Sequence, residues 1–503
     1  MPESLSLSRA TLGRLSPPIL LPDYDVTAVR AGIVHLGLGG FHRAHMARYT
    51  HDLMQVQPEA LGWGIVGVGL LEPDRRVWEA LHPQDGLYTL IERQDAQEVV
   101  SVIGALCRVI FAGESSAGVL AAIDNPAVRI VSLTVTENGY CLNPATKRLD
   151  PSHPAILHDL SSGAPPRSAI GILVEAYRRR WASGSPAFSA LSCDNLQANG
   201  VILHDAVIAM AELRNPGLAE WIDASACFPS TMVDRITPTT TPDDIAQLAQ
   251  RFAVADRWPV CSEMFRQWVI EDRFVQGRPQ WEAVGAQFVS EVAPYEAMKL
   301  RLLNASHLAI AALGQLAGYS YVDETMQDDA FLSYMQALMD RETGPTLPPV
   351  PGIDLSHYKA QLIARFANPR IKDTLQRINT DAPLNLLLDP LRDRLAASES
   401  CELLTLALAA WMRRLAATDD QGRPLTITHP QAGLLCETAR QGGADPRALL
   451  AIRSLFGDLI DNHTFVAELT PHLASLYESG ARCALAKLAA VSQSQDRIGH
   501  AKA

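Results

Sequence analysis

Short apolar segments alternate with amphipathic segments over the first 290 residues, and this alternation restricts the possible folds more than any other feature. The apolar segments are rich in β-branched residues and have no polar face: GIVHLGLG, WGIVGVGL, VRIVSLTVT and AFSALSCDN. Segments between them, such as SAIGILVEAYRRRWASG and NGVILHDAVIAMAEL, have helical patterns. Strands without a polar face that alternate with helices are typical of a parallel sheet covered on both sides. The pattern therefore predicts an α/β domain.

The pattern changes near Pro294, and from there to the end of the chain it is almost entirely helical. Examples are YEAMKLRLLNASHLAIAALGQLAGY, CELLTLALAAWMRRLAA and HLASLYESGARCALAKLAAV. We therefore predict an α/β domain over residues 1–290, which begins with an N-terminal arm, and a helical domain over residues 291–503. Because ligand sites often lie where two domains meet, we expect a site between them.

The composition argues against two classes of partner. The chain has 503 residues and a formal charge of −12, whereas a protein that binds nucleic acid is expected to have a basic face. The first 30 residues lack the basic region and apolar core of a signal peptide. The longest apolar stretches, such as LLTLALAAWM, are too short to cross a bilayer. These observations predict a cytoplasmic protein without a nucleic-acid or membrane partner.

The segment IVHLGLGGFHRAH joins an apolar strand to a helix through a glycine turn. Gly37, Leu38 and Gly39 match the first part of a fingerprint in which backbone N–H groups and a helix N-terminus hold a pyrophosphate. The third glycine is replaced near Ala44, a position that tolerates alanine. The acidic residue that binds the ribose is not at its usual distance, but Asp74 would lie at the tip of the second strand. Two interpretations stay open from these residues, a dinucleotide site and a structural turn.

Histidines that follow the same glycines raise the alternative of a metal site. His42 and His45 have the i, i+3 spacing of one helical face, whereas His45 and His51 do not share a face. No carboxylate or cysteine follows nearby at ligand spacing. We therefore expect no metal at this position.

The segment PYEAMKLRLLNASHLAIAALG carries the strongest candidates for catalysis, and Pro294 is a typical first residue of a helix. At about 100° per residue, four polar side chains fall within an arc of about 140° on this otherwise apolar helix: Glu296, Lys299, Asn304 and His307. The alternative is a solvated ion pair together with two buried polar residues that have structural partners. We favour catalysis, because this helix is expected to pack against the nucleotide domain.

These residue types suit hydride transfer from an alcohol. A lysine buried beside other polar groups can have a pKa low enough to act as a base near neutral pH. The amide N–H groups of Asn304 and Asn195 can stabilise an alkoxide or carbonyl oxygen. The imidazole of His307 can orient a hydroxyl group, and the scheme requires no metal.

Seven segments together resemble the family of polyol-specific long-chain dehydrogenases: GLGGFHRAH, WGIVGVGLLEPDR, SLTVTENGY, SCDN, FPSTMVDRITP, WVIEDRFVQGRPQWE and KLRLLNASH. The resemblance extends from about Ile33 to about Ala490. It implies an α/β fold, with a Rossmann-type doubly wound N-terminal domain followed by a mostly α-helical C-terminal domain. It also implies metal-independent oxidation of a sugar alcohol to a ketose, with NAD as the hydride acceptor. The resemblance suggests a monomer or a weak oligomer.

The resemblance implies catalytic roles for five residues. Lys299 would be the general base, and Asn195 with Asn304 would form the oxyanion site. His307 would hold the substrate, and Glu296 would lie on a proton path to solvent.

Further residues are expected to bind the substrate and the cofactor. Asp234 and Arg377 would contact the substrate. Asp74 would favour NAD over NADP because a 2′-phosphate would meet its negative charge, although Pro73 replaces an acid found in some relatives. The residues expected to contact the cofactor are Gly37, Leu38, Gly39, Gly40, Phe41, His42, Arg43, Asp74, Thr136 and Glu137.

One departure from the family concerns the substrate. After the residue that matches Arg377, relatives usually have a Gly/Ser turn with a substrate-facing lysine, whereas this chain has INTDAPLNLLLDP. The substrate stays open between D-mannitol, oxidised to D-fructose, and D-mannonate, formed by reduction of D-fructuronate. D-arabinitol and D-sorbitol are further candidates. Arg301 is more typical of the sugar-acid enzymes, but it lies about 200° from Lys299 around a regular helix and is expected to face away.

Overall fold

The computed structural model describes residues 4–113, 115–143, 146–161, 163 and 165–500. The chain divides into two units, Met1–Ala293 and Pro294–Ala503. Within the described part of the chain, no helix combines the length and the apolar character that crossing a membrane would require.

The strands of the first unit include a five-stranded parallel sheet. In chain order the strands are β1 Leu5–Ser6, β2 Ala31–Leu36, β3 Gly64–Gly69, β4 Tyr88–Gln94, β5 Gln97–Ile103, β6 Leu106–Phe111, β7 Ile130–Leu133, β8 Ser189–Ser192, β9 Thr231–Asp234, β10 Val254–Ala255, β11 Val260–Glu263, β12 Gln267–Glu271 and β13 Gln287–Val289. The parallel sheet has the order β6-β3-β2-β7-β8. Its earliest strand, β2, lies in the middle and the chain winds outward on both sides, which is the doubly wound Rossmann-type order. The predicted fold class is confirmed.

The strands of this sheet are apolar along their length because both faces are covered. Val34 and Leu36 belong to the core on one face, and Ile33 belongs to the core on the other face with Ile65 and Ile130. All five side chains are fully buried. Burial of one such side chain contributes about 1.5–3 kcal/mol, so a polar residue on either face would be costly.

Helices pack on both faces of the sheet. In chain order the helices of the first unit are α1 Gly40–Ala44, α2 Met46–Val56, α3 Arg75–Leu81, α4 Ala117–Asp124, α5 Pro154–Leu160, α6 Ala169–Ser183, α7 Asn199–Arg214, α8 Pro216–Ser225 and α9 Pro242–Phe252. Helices α6 and α7 are the two that the sequence pattern predicts. Ser168 caps the start of α6 by accepting the N–H of Gly171 at 2.8 Å, and Gly184, with φ +69°, ends it.

Two three-stranded sheets are not predicted by the sequence pattern. Strand β4 pairs antiparallel with β5 and parallel with β11, and β12 pairs antiparallel with β9 and parallel with β13. The turn between β4 and β5 contains Asp95 in a left-handed conformation, with φ +49°, and has no glycine. A hairpin without a glycine or asparagine turn leaves little trace in a sequence.

The second unit is helical in its described residues. Its helices are α10 Ala293–Met298, α11 Ala305–Leu316, α12 Val322–Met326, α13 Asp329–Ala337, α14 Leu355–Phe366, α15 Leu375–Asp381, α16 Asn385–Ala396, α17 Glu402–Arg414, α18 Ala432–Gly442, α19 Arg447–Leu450, α20 Arg453–Phe456 and α21 His463–His500. Helix α21 is kinked at Gly480, which has φ +77° and ψ 173°. The segments Lys299–Asn304 and Leu338–Thr343 are π-helical.

A buried carboxylate holds the start of helix α17. The Oε1 and Oε2 atoms of Glu342 accept the N–H groups of Leu403 and Leu404, each at 2.8 Å. Burial raises the pKa of Glu342 to about 7, although these N–H groups and Arg394 act in the opposite direction. The ordinary pKa of this carboxyl group is 4.5.

Glu342 should make the stability of the protein depend on pH. Because its pKa is raised on folding, its contribution to stability is fully present below pH 4.5 and is lost as the pH rises to about 7. Each unit of pKa difference corresponds to about 1.4 kcal/mol. We expect Glu342→Gln, which stays uncharged, to flatten the change of Tm across this range. Circular dichroism melts of both proteins check this, and equal slopes would contradict it.

Candidate active site

The glycine turn follows strand β2 and leads into helix α1. Gly37 has φ +115°, and a Cβ atom there would lie 2.2 Å from the carbonyl oxygen of Thr134. A Cβ atom on Gly39 would meet no heavy atom within 4 Å. Gly37 is therefore required by the fold itself, whereas the space beside Gly39 is open to a ligand that approaches the backbone closely.

The side chains that follow the glycines point into the first unit. The ring of His42 stacks on that of His35, with centroids 3.4 Å apart, and both residues are buried. Arg43 is also buried, and its guanidinium donates to the carbonyl oxygen of Trp258 at 2.7 Å. The side chains of His42 and Arg43 therefore pack beneath the loop, and their contact with a cofactor stays a prediction.

The histidines of this region each pack in their own surroundings. His45 Nε2 lies 2.9 Å from the carbonyl oxygen of Gln267, its ring stacks on Phe41, and His51 Nδ1 lies 2.8 Å from the Tyr24 hydroxyl. Burial lowers the pKa of His45 and of His51 to about 3. These imidazoles are therefore neutral near pH 7 and are packed within the first unit.

Asp74 lies in the turn Glu72–Asp74 after strand β3. Its Oδ2 accepts the N–H groups of Leu70 and Leu71 at 2.9 and 3.0 Å. The carboxylate thus closes the turn at the carboxyl end of β3, which is the neighbour of β2 in the sheet. Ligands of open α/β sheets bind at the carboxyl ends of the strands.

The turn after strand β7 is strained. Thr136 has φ +61° and ψ 169°, a region that glycine occupies almost exclusively and that costs other residues about 1–3 kcal/mol. Its N–H donates to Oδ1 of Asp194 at 2.8 Å, and that of Val135 donates to Oδ2 at 3.1 Å. The exposed carboxylate of Glu137 pairs instead with Lys147 at 2.8 Å. Asp194 is therefore a structural part of this turn.

Asp194 is absent from the sequence-based candidates. It is only 6% exposed, and burial raises the pKa of its carboxyl group. The next residue, Asn195, is exposed and follows the end of strand β8. The sequence does contain a signal for Asp194: it is an acidic residue that precedes the predicted catalytic residue Asn195 and lies just after a buried strand.

Asp234 is the last residue of strand β9 and is buried. The neighbouring Arg235 donates to the carbonyl oxygens of Ala44 and Glu263 and forms an ion pair with Glu92. This buried arginine therefore fixes the backbone beside Asp234 against the end of α1.

The predicted catalytic residues of the second unit are arranged around the π-helical segment Lys299–Asn304. Glu296 lies in α10 just before it, and His307 lies in α11 just after it. Because i→i+5 bonds widen the turns, the arc worked out for one regular helix does not apply, and this part of the prediction is wrong. Short π-helical insertions are frequent at functional sites.

Burial distinguishes these residues from an ordinary solvated face. Glu296 and Lys299 are each 7% exposed, and His307 is 8% exposed with its ring 4.2 Å from that of Phe366. The Oδ1 atom of Asn304 is buried and accepts no hydrogen bond from the residues that the structure describes. A ligand hydroxyl could supply that hydrogen bond.

Arg377, which the sequence predicts to contact the substrate, and Arg301 both have carboxylate partners. Arg377 Nε donates to Oδ1 of Asp373 at 2.9 Å and Nη2 donates to Oδ2 at 2.7 Å, in a bidentate pair. Arg301 pairs with Asp393 and donates to the carbonyl oxygen of Thr346. Both guanidinium groups therefore already lie against a carboxylate.

Two family models match the chain. The Mannitol dehydrogenase Rossmann domain matches residues 31–283, and the Mannitol dehydrogenase C-terminal domain matches residues 291–477. Mannitol 2-dehydrogenase of Phaeosphaeria nodorum is 40% identical over 495 residues, which cover 97% of this chain and 86% of that protein. D-mannonate oxidoreductase of Escherichia coli is 41% identical over 479 residues, with coverages of 94% and 98%.

A solved structure gives the same result. The Pseudomonas fluorescens mannitol 2-dehydrogenase ternary complex with NAD and D-mannitol has a TM-score of 0.86 and 40% identity, and the match covers 96% of this chain and 99% of that chain. The family predicted from the sequence motifs is confirmed: this protein is an oxidoreductase of the mannitol dehydrogenase family.

Proposed function

We propose that this protein oxidises a neutral sugar alcohol of the D-mannitol type to a ketose, with NAD as cofactor and without a metal. The observation that carries the proposal is the buried Lys299 at the start of a π-helical segment, with Glu296 and His307 buried in the adjoining helices. Lysine, glutamate and histidine are side chains that act as general acids and bases, and their burial close together around a π-helical segment is typical of a functional site. The relative whose structure is a ternary complex with NAD and D-mannitol supports the same reaction.

The residues around the glycine turn fit the cofactor. Gly39 leaves the space that a pyrophosphate needs to approach the backbone, and Asp74 closes the turn beside it at the end of β3. NAD, when bound, supplies the acceptor for the hydride. The glycine turn, Asp74 and Thr136 would hold it.

Four residues would act on the hydroxyl group that is oxidised, two on its proton and two on its oxygen atom. Lys299, in its neutral form, would take the hydroxyl proton of the alcohol, and Glu296 would pass that proton towards solvent. The amides of Asn195 and Asn304 would stabilise the negative charge that develops on the substrate oxygen.

The remaining substrate contacts would orient the sugar. His307 would hold a hydroxyl group of the polyol, and Asp234 would accept a hydrogen bond from another one. General-base catalysis of the kind proposed for Lys299 contributes about 10²–10⁴-fold to a rate.

The carboxylate partners of the arginines favour a neutral substrate. Arg377 is the residue expected to contact the substrate, and Asp373 already holds it in a bidentate pair. An incoming sugar acid would have to compete with that carboxylate. The second candidate, interconversion of D-fructuronate and D-mannonate, is supported by the 41% identity to D-mannonate oxidoreductase.

Initial rates with NAD on D-mannitol, D-mannonate, D-arabinitol and D-sorbitol test this proposal. We expect kcat/KM on D-mannitol to exceed that on D-mannonate by at least about tenfold, which is about 1.4 kcal/mol. Asp373→Asn, which removes the closer of the two carboxylates paired with Arg377 and leaves Asp381 at 3.5 Å, should shift this ratio towards D-mannonate. Asp393→Asn is the matched control because it releases only Arg301. A preference for D-mannonate in the unsubstituted enzyme would contradict the proposal.

Asp74 gives a separate prediction about the cofactor. Asp74→Asn keeps an oxygen that can accept the N–H groups of Leu70 and Leu71 but removes the negative charge that would repel a 2′-phosphate. We expect the ratio of kcat/KM for NADP to that for NAD to rise about tenfold. Glu79→Gln, an exposed acid on the adjacent helix α3, controls for overall charge. An unchanged ratio in Asp74→Asn would mean that Asp74 does not face the ribose.

A further inference from the structure

We propose that Asp194 is a positioning residue for the cofactor, because it clamps the turn that contains Thr136 in a backbone conformation that threonine would otherwise leave. The proposal rests on the proposed contact between Thr136 and NAD. Asp194 would thereby set the geometry between that turn and the neighbouring Asn195.

The clamp consists of three hydrogen bonds to one buried carboxylate. Oδ1 of Asp194 accepts the N–H of Thr136 at 2.8 Å, and Oδ2 accepts the N–H of Val135 at 3.1 Å. Oδ2 also accepts the hydroxyl of Tyr140, at 2.9 Å. An ionised carboxylate can accept all three because it has only acceptor sites, whereas an amide would present two N–H donors to the same groups.

Asp194 is itself held in place. Its carbonyl oxygen accepts the side-chain N–H of Asn199 at 2.9 Å, and Asn199 also donates to the carbonyl oxygen of Thr231. The hydroxyls of Tyr140 and Ser192 lie 2.6 Å apart. Asp194 is therefore held between the end of β8, the start of β9 and the start of α7.

The clamped turn contacts the glycine turn. A Cβ atom on Gly37 would lie 2.2 Å from the carbonyl oxygen of Thr134, two residues before Thr136. The hydroxyl of Thr134 also lies 2.9 Å from Nε2 of His35 in strand β2. If the turn relaxes, the backbone that would receive the pyrophosphate must move with it, so cofactor affinity should report on the clamp.

The strain at Thr136 allows a specific test. Glycine adopts φ +61° and ψ 169° without penalty, so the turn of a Thr136→Gly variant should need the clamp less. We expect Asp194→Asn to raise the Kd for NADH about tenfold in the protein that retains Thr136. In a Thr136→Gly background the rise should be no more than about threefold. NADH fluorescence titrations of the four proteins measure this coupling without any substrate.

Asp159 provides a matched control. It is a buried aspartate that accepts the N–H groups of Arg167 and Ser168 at 2.7 and 2.9 Å, before helix α6. Asp159→Asn should lower Tm, as Asp194→Asn should, but leave the Kd for NADH unchanged. An equal rise in Kd for both variants, or the same rise in Kd with and without Thr136→Gly, would overturn the proposal.

A milder variant covers the case in which Asp194→Asn does not fold. Tyr140→Phe removes one of the three hydrogen bonds, and it should raise the Kd about twofold to threefold in the Thr136 protein but not in the Thr136→Gly background. Equal values in both backgrounds would overturn the proposal. If the enzyme binds NADH with the expected coupling but oxidises none of the polyols, only the proposed substrate fails.

Discussion

Lys299→Ala is expected to lower kcat for polyol oxidation at neutral pH by about 10²–10⁴-fold, the usual contribution of a general base. The side chain is 7% exposed and lies at the start of the π-helical segment, and a water molecule that took its place would be a much weaker base than an amine. The Kd for NADH should stay within about twofold of the original value, because the proposed cofactor contacts are on other residues. Steady-state kinetics and NADH fluorescence titration measure the two quantities separately.

A lysine outside the site controls for the loss of positive charge. Lys487 is exposed on helix α21, where its Nζ lies 3.2 Å from the hydroxyl of Ser475, and Lys487→Ala should retain full activity. Near-normal turnover in Lys299→Ala would show that Lys299 is not the general base. Partial recovery of that variant by added alkylamines would support the role, because a free amine can accept the same proton.

Gly37→Ala is expected to abolish measurable NADH binding and to lower the free energy of unfolding by about 2–5 kcal/mol. The new Cβ atom would lie 2.2 Å from the carbonyl oxygen of Thr134, at a backbone φ of +115°. The contact is with backbone, so no side-chain rotation can relieve it, and the whole turn must shift. Chemical denaturation and NADH titration measure the two effects.

Gly39→Ala separates cofactor binding from folding. Its Cβ atom would meet no atom of the protein within 4 Å, so Tm should not change, but it would occupy the space proposed for the pyrophosphate. We expect the Kd for NADH to rise at least about tenfold. Gly62→Ala, in the segment between β2 and β3, also meets nothing within 4 Å and should change neither quantity. Unchanged NADH affinity in Gly39→Ala would place the cofactor elsewhere.

The parts of the fold that sequence reasoning predicted are those with a local cause. Strands such as β2 and β3 have no polar face because both faces are buried, and this leaves continuous apolar segments. Helix α6 has a serine before its first residue and a glycine after its last, so its ends are marked in the sequence. The sheets built on β4 and β12 were missed. The hairpin turn between β4 and β5 lacks glycine, and β9, β11 and β13 have only three or four residues each.

Within the candidate site, contacts between residues close in the chain could be predicted from the sequence, whereas contacts between distant segments could not. Asp373 and Arg377 are four residues apart, the first just before helix α15 and the second within it, and their pairing could have been noticed from this spacing. The π-helical segment could not, because the residues from Lys299 to Asn304 fit a regular helical pattern equally well. The burial of His42 and Arg43 depends on His35 and Trp258, which other segments supply.

The sequence by itself determined the family, the alternation of strands and helices, and the glycine turn, because each depends on residues close together in the chain. Only the tertiary structure decided which polar groups hold the turn. Asp194 and Thr136 are 58 residues apart, and their contact exists because β7 and β8 are neighbours in the sheet. Strand order is a property of the folded chain, and so is the contact by which the carboxylate of Asp194 holds the strained backbone of Thr136.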